Sequence, residues 1–91
     1  MKILAIDDTK TLLSLLCLTL KNAGHEVASA ENGEEGLAQF DAFKPDVVIT
    51  DLNMPIMDGI QFTRACRARP AGQNTPIIVL TTENGADINA E

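Results

Sequence analysis

Three short stretches of the chain are continuously apolar: Ile3-Leu4-Ala5-Ile6, Val47-Val48-Ile49 closed by Thr50, and Ile77-Ile78-Val79-Leu80. Short apolar runs without polar alternation suit strands buried on both faces, as in a parallel sheet. A fourth stretch, Glu26-Val27-Ala28-Ser29-Ala30, alternates weakly, which suits a sheet edge. Between these strands the spacing changes to three and four. Thr11 to Leu20 carries Leu12, Leu13, Leu16, Cys17 and Leu20, and Leu15 and Leu18 widen the apolar side further. The pattern predicts a helix that packs deeply. Thr9 is placed to cap it, and Gly24 to end it in a left-handed conformation. A second helix opens at Asn32 as cap, with Glu34 and Glu35 in the first turn and Leu37, Ala38 and Phe40 facing the core. A third is expected from Gly59 to Arg69, with Ile60, Phe62 and Cys66 as its apolar positions and Arg64, Arg67 and Arg69 on a solvated face. Pro70 to Pro76 is a polar loop, and Glu83 to Glu91 begins one more helix.

Strand and helix thus alternate three times before the fourth strand. Such an order predicts an α/β fold, a parallel sheet with helices on both faces and right-handed crossovers. A length of 91 residues allows one domain. Hydrophobic residues make up 45%, enough for a core, and with Phe as the sole aromatic type that core must be aliphatic. No apolar run approaches the ~20 residues of a membrane span, and the acids after Met1-Lys2-Ile3-Leu4 do not suit a secretory signal. Cys17 and Cys66 lie in helical patterns without ligand spacing. They read as small core residues of a cytoplasmic protein, with no disulfide or metal role. The formal charge of −6 offers no basic stripe to phosphates, so direct binding to nucleic acid is not expected. His25, the only histidine, falls in the loop after Gly24 and reads as a surface residue.

The candidate chemistry lies where strands give out. Asp7 and Asp8 follow the first strand, Asp51 ends the third, and Thr81 follows the fourth. Parallel strands put their carboxyl ends along one edge, the place where open α/β sheets bind ligands. If the first and third strands are neighbours, three carboxylates meet in one crevice. Like charges so close raise the pKa of some members unless a cation is present. Oxygen ligands with positions left to water suit Mg²⁺. An ion there could bridge a carboxylate to a phosphoryl oxygen, so that a carboxylate acts as nucleophile on phosphorus. Pro55 cannot continue a ladder, and Asp58-Gly59 marks the turn into the third helix.

The set Asp7-Asp8, Asp51-Leu52-Asn53-Met54-Pro55, Met57-Asp58-Gly59 and Thr81 after Ile77-Ile78-Val79-Leu80 resembles the receiver domain of bacterial two-component response regulators. Within that family it is most similar to the CheY-like single-domain chemotaxis regulators. The resemblance implies a flavodoxin-like, doubly wound parallel sheet in the order 2-1-3-4. It implies that Asp51 accepts a phosphoryl group from a sensor histidine kinase of the CheA-like kind. It further implies that Asp8 ligates Mg²⁺ directly, Asp7 through water, and Asn53 through its main-chain carbonyl. Thr81 is the implied switch hydroxyl for the phosphoryl group, and Asn53, Thr82 and Glu83 tune how fast that group is lost. Thr82 is bulkier than the small residue common at its position. The flagellar motor switch or another protein is the implied downstream partner.

A complete receiver of this kind continues through a further helix, a fifth strand that ends in a Lys, and a last helix. The expectation for residues 1–91 is therefore an incomplete receiver domain, shortened or a fragment, with impaired signalling. Without a fifth strand, Ile77–Leu80 is expected to be an exposed edge able to pair chains into a dimer, and without the last helix part of the first helix's broad Leu surface is expected to be uncovered. An enzyme is not expected. The alternative, a Mg²⁺-dependent phosphatase with an Asp nucleophile, wants a general acid two residues after that nucleophile, where Asn53 stands. A flavodoxin-type flavin site wants phosphate-holding amides after the first strand, where Asp7 and Asp8 would repel the ligand.

Overall fold

The chain folds as the alternation of its apolar runs requires, in a computed structural model that describes residues 1–54 and 56–80. The elements are β1 (Lys2–Ile6), α1 (Lys10–Asn22), β2 (Glu26–Ala30), α2 (Gly33–Phe43), β3 (Val47–Asp51), α3 (Gly59–Arg67), a 3₁₀ turn (Pro70–Gly72) and β4 (Ile77–Leu80). All pairings are parallel and the order is β2-β1-β3-β4, the flavodoxin-like order expected from the resemblance. β2 is an edge strand, as its alternation predicts. Among the described residues no helix is long and apolar enough to cross a membrane.

α1 lies on one face of the sheet, and α2 and α3 pack together on the other. The core belongs to that second face. Leu4, Ile6 and Val48 from the sheet meet Phe40 of α2 and Phe62 and Cys66 of α3. Phe62 and Cys66 are fully buried. Burial pushes the Cys66 thiol up to about 11, so it is a packing group and not a nucleophile at neutral pH. Helix and sheet approach so closely here that a Cβ on Gly36 would lie 2.5 Å from a methyl of Ile6. That contact explains the second glycine of α2, which a search for a phosphate loop does not.

The helix ends match expectation unevenly. The Asn32 side chain caps α2 by accepting the Glu35 N–H at 2.8 Å. Gly24, at φ +96°, closes α1 in the left-handed region. Thr9 precedes α1 but makes no side-chain cap; its own N–H is taken by the Asp7 carboxylate instead. α3 stops at Arg67, and the loop beyond it is organised by arginines read as merely solvated. Arg67 donates to the carbonyls of Gly72 and Thr75, and Arg69 pairs with Asp41 at 2.9 Å. Ile60 is exposed.

α1 does not pack as deeply as its periodicity predicts, and part of its Leu surface is uncovered. Leu13 alone of its apolar residues is buried, while Leu15 and Leu18 are 59% and 57% exposed. Among the described residues, the helix packs on the sheet mainly over β1 and β2. Among the described residues no helix packs on the face of β3 and β4 beside it, and the outer leucines are exposed there.

Candidate functional site

The register of β1 on β3 builds the site. Ile6 pairs with Thr50, so Asp7 and Asp51, each the next residue, leave the sheet side by side. The Asp7 N–H remains bonded to the Ala30 carbonyl at 3.1 Å, which holds the end of β1 against β2. Its carboxylate accepts the Thr9 N–H at 2.8 Å and so turns the chain into α1. Asp8 lies at the exposed apex of that turn. One carboxylate oxygen each of Asp7, Asp8 and Asp51 lies within 4.8 Å of the others.

Asp51 is the inner member, only 7% exposed. Burial raises its carboxyl above the usual range, the charges of Asp7 and Asp8 add to this, and the backbone N–H groups of Leu52 and Asn53 pull it partly back. The bond from the Leu52 N–H to Asp51 Oδ1 is 2.9 Å and fixes the carboxylate's orientation. Among the described residues none of the three acids forms an ion pair. Three converging carboxylates with an upward-shifted inner member fit a hard divalent cation, which removes the conflict that the fold creates.

The loop after Asp51 is held on both sides. Leu52 donates its N–H to the Leu80 carbonyl at 2.7 Å, and its own carbonyl accepts the Gly59 N–H at 2.9 Å. A Cβ on Gly59 would sit 2.6 Å from the Asp51 carbonyl oxygen. The start of α3 therefore rests directly on the acidic residue's backbone. A capping box secures it: Asp58 accepts the Gln61 N–H at 2.8 Å, and the Gln61 side chain accepts the Asp58 N–H at 3.0 Å. In the loop between Asp51 and α3, Ile56, a β-branched residue, has φ +73°, a strained conformation.

The structure thus unites Asp7, Asp8 and Asp51, the acids singled out in sequence. Asn53 is exposed, two residues beyond Asp51. Thr81, Thr82 and Glu83 lie outside the described residues. Sequence reasoning missed the buttressing role of Gly59 and the Leu80 carbonyl, and the strain at Ile56. The pair Asp58-Gly59 signals a turn, but only the packed structure reveals that no side chain fits there.

With this geometry the chain can be set beside known proteins. Residues 3–91 match the family model described as response regulator receiver domain. The chain is 40% identical over 87 residues to the chemotaxis protein CheY1 of Helicobacter pylori, covering 93% of this chain and 70% of that protein. It is 39% identical over 83 residues to protein PilH of Pseudomonas aeruginosa, covering 91% of this chain and 69% of that protein. Among solved structures, the chemotaxis response regulator CheY4 of Vibrio cholerae superposes with a TM-score of 0.86 at 42% identity. That match covers 91% of this chain and 69% of CheY4. Sequence, strand order and the fit of the family model along nearly the whole length agree: the chain belongs to the response regulator receiver domain family, in its CheY-like branch.

Proposed function

We propose that this chain is a phosphoacceptor switch, in which Asp51 takes a phosphoryl group from the phosphohistidine of a sensor kinase. The observation that carries this is the placement of one buried carboxylate beside two outer ones at the carboxyl edge of the sheet. An Asp51 carboxylate oxygen attacks phosphorus, the P–O bond of an acyl phosphate forms, the P–N bond to the kinase imidazole breaks, and the imidazole leaves with its electron pair. The Leu52 N–H orients the nucleophile, and the buttress at Gly59 keeps its backbone from yielding. Asp8, Asp7 and Asp51, with the main-chain carbonyl of Asn53, are the groups that would hold Mg²⁺. Bound there, the ion would offset the acids' repulsion and the charge on the phosphoryl oxygens.

We assign Thr81 as the hydroxyl that meets the phosphoryl group, because it follows Leu80, the register partner of Asp51. Asn53, Thr82 and Glu83 then govern access of water to the acyl phosphate. The kinase is of the chemotaxis, CheA-like kind, and the downstream partner is a flagellar motor switch or similar protein target in the cytoplasm. The named chemotaxis relatives support this choice. The phosphoryl group remains on the protein as signal, so the domain is a switch and not a hydrolytic enzyme.

The test is incubation with a small acyl phosphate and Mg²⁺, followed by mass spectrometry and peptide mapping. One phosphoryl group on Asp51 is expected, lost in Asp51→Asn. Labelling that survives that substitution would move the nucleophile elsewhere.

A further inference from the structure

The packed face of the sheet holds one hydroxyl in an otherwise apolar core. Thr50 sits on β3 two residues after Val48 and so shares its face, with Ile6 and Val79 as its partners on the neighbouring strands. It is fully buried, and among the described residues Thr50 and Asp51 are the buried side chains that are polar or charged. Valine has the same shape and carries no hydroxyl to desolvate, so the polar group needs a partner that repays its burial.

That partner is the turn after Asp51. The Thr50 hydroxyl donates to the Asp51 carbonyl at 3.0 Å and stands 4.0 Å from the sulfur of Met54, a member of the same core. These two atoms bracket Leu52 and Asn53. The Leu52 N–H, which the Leu80 carbonyl also accepts, bonds to Asp51 Oδ1 at 2.9 Å. The Asp51 carbonyl is also the atom against which the start of α3 rests at Gly59. One O–H thus meets the point where strand, turn and helix join. We infer that Thr50 is a positioning residue, whose buried hydroxyl holds the turn from Asp51 to Met54 so that its backbone N–H groups stay aimed at the nucleophilic carboxylate. The inference rests on the phosphoacceptor reading of Asp51.

Removing the hydroxyl takes a bond from a carbonyl in a buried setting and frees the turn to rotate. A misplacement of ~1 Å can cost about 100-fold in rate, so a partial release of the turn should cost about tenfold. A packing role alone would belong to the methyl group instead. Substitutions separate the two: Thr50→Val keeps the volume and loses the hydroxyl, Thr50→Ser keeps the hydroxyl and loses the methyl, and Thr50→Ala loses both.

Two measurements on the full chain test the inference: the rate of labelling by a small acyl phosphate with excess Mg²⁺, and amide hydrogen exchange with neither present. Thr50→Val should label Asp51 about tenfold more slowly. Thr50→Ser should label near the wild-type rate, although it melts lower for want of a buried methyl. If Thr50→Val does not fold, Thr50→Ser against Thr50→Ala isolates the hydroxyl at nearly equal loss of packing, and Ala should be the slow member. Exchange at Leu52 and Asn53, taken relative to the amides of β1, should be several times faster in Val and Ala and unchanged in Ser. This readout needs no phosphoryl group. Wild-type labelling at another residue would therefore overturn the phosphoacceptor reading, while exchange still decides whether Thr50 holds the turn. Labelling rates that follow melting temperature across the variants, or exchange at Leu52 and Asn53 unchanged in Val and Ala, would overturn the inference.

Discussion

The two faces of the sheet are built from similar residues and end in different states. On one, Phe40, Phe62 and Cys66 close against Leu4, Ile6 and Val48 with no room for a methyl at Gly36. On the other, α1 brings more leucines than either other helix, yet buries only Leu13. Apolar content therefore does not decide burial; what matters is whether two elements converge on the same patch. α2 and α3 converge on the first face. The loop after Asp51 is anchored on this packed side through Gly59 and Phe62, while Asp7 and Asp8 follow β1. Among the described residues, the acidic site thus joins a closely packed half to a half with exposed apolar side chains.

The comparison breaks most readily at Phe62. Phe62→Ala removes a fully buried ring from the closed face and should cost about 3–5 kcal/mol, enough to leave a small domain largely unfolded in a denaturant melt. Gly59→Ala comes next. Its Cβ meets backbone, which cannot rotate away, so a loss of about 1–3 kcal/mol is expected together with slower labelling of Asp51.

Asp51→Asn should act in the opposite direction. Because the folded carboxyl titrates above its unfolded value, the native state holds its proton to higher pH. Stability then falls as pH rises from the ordinary carboxylate pKa through the raised one, and the full penalty is present above both. Without divalent cations the Asn variant should be more stable at pH 7 by about 1 kcal/mol, a few degrees in Tm, with the advantage fading below the carboxylate range. The smallest effect belongs to the open face. Leu15→Ala should change stability by no more than about 0.5 kcal/mol in a denaturant melt.

Much of this was legible in sequence because it rests on local pattern. The continuous apolar runs gave away parallel strands, and acids at strand ends identified Asp7, Asp8 and Asp51 once β1 and β3 were adjacent. Asn32 and Gly24 acted as their chemistry predicts. What escaped was decided by distant neighbours. The leucines of α1 look like core because periodicity counts apolar residues and cannot say whether a second layer lies opposite. Arg67 and Arg69 look solvated because their partners, Gly72, Thr75 and Asp41, are brought close only by the fold. Thr9 has a capping side chain that makes no cap here; the turn into α1 is marked by the bond from its N–H to the Asp7 carboxylate, a group the capping spacing alone does not signal.

The central claim is that Asp7, Asp8 and Asp51 form one cation-binding centre. An NMR titration with Mg²⁺ tests it most directly. Saturable shifts should appear at the amides of Asp7, Asp8, Asp51 and Leu52, and Asp8→Asn should weaken binding by about tenfold or more. Amides that do not move, or an affinity unchanged by Asp8→Asn, would contradict the account.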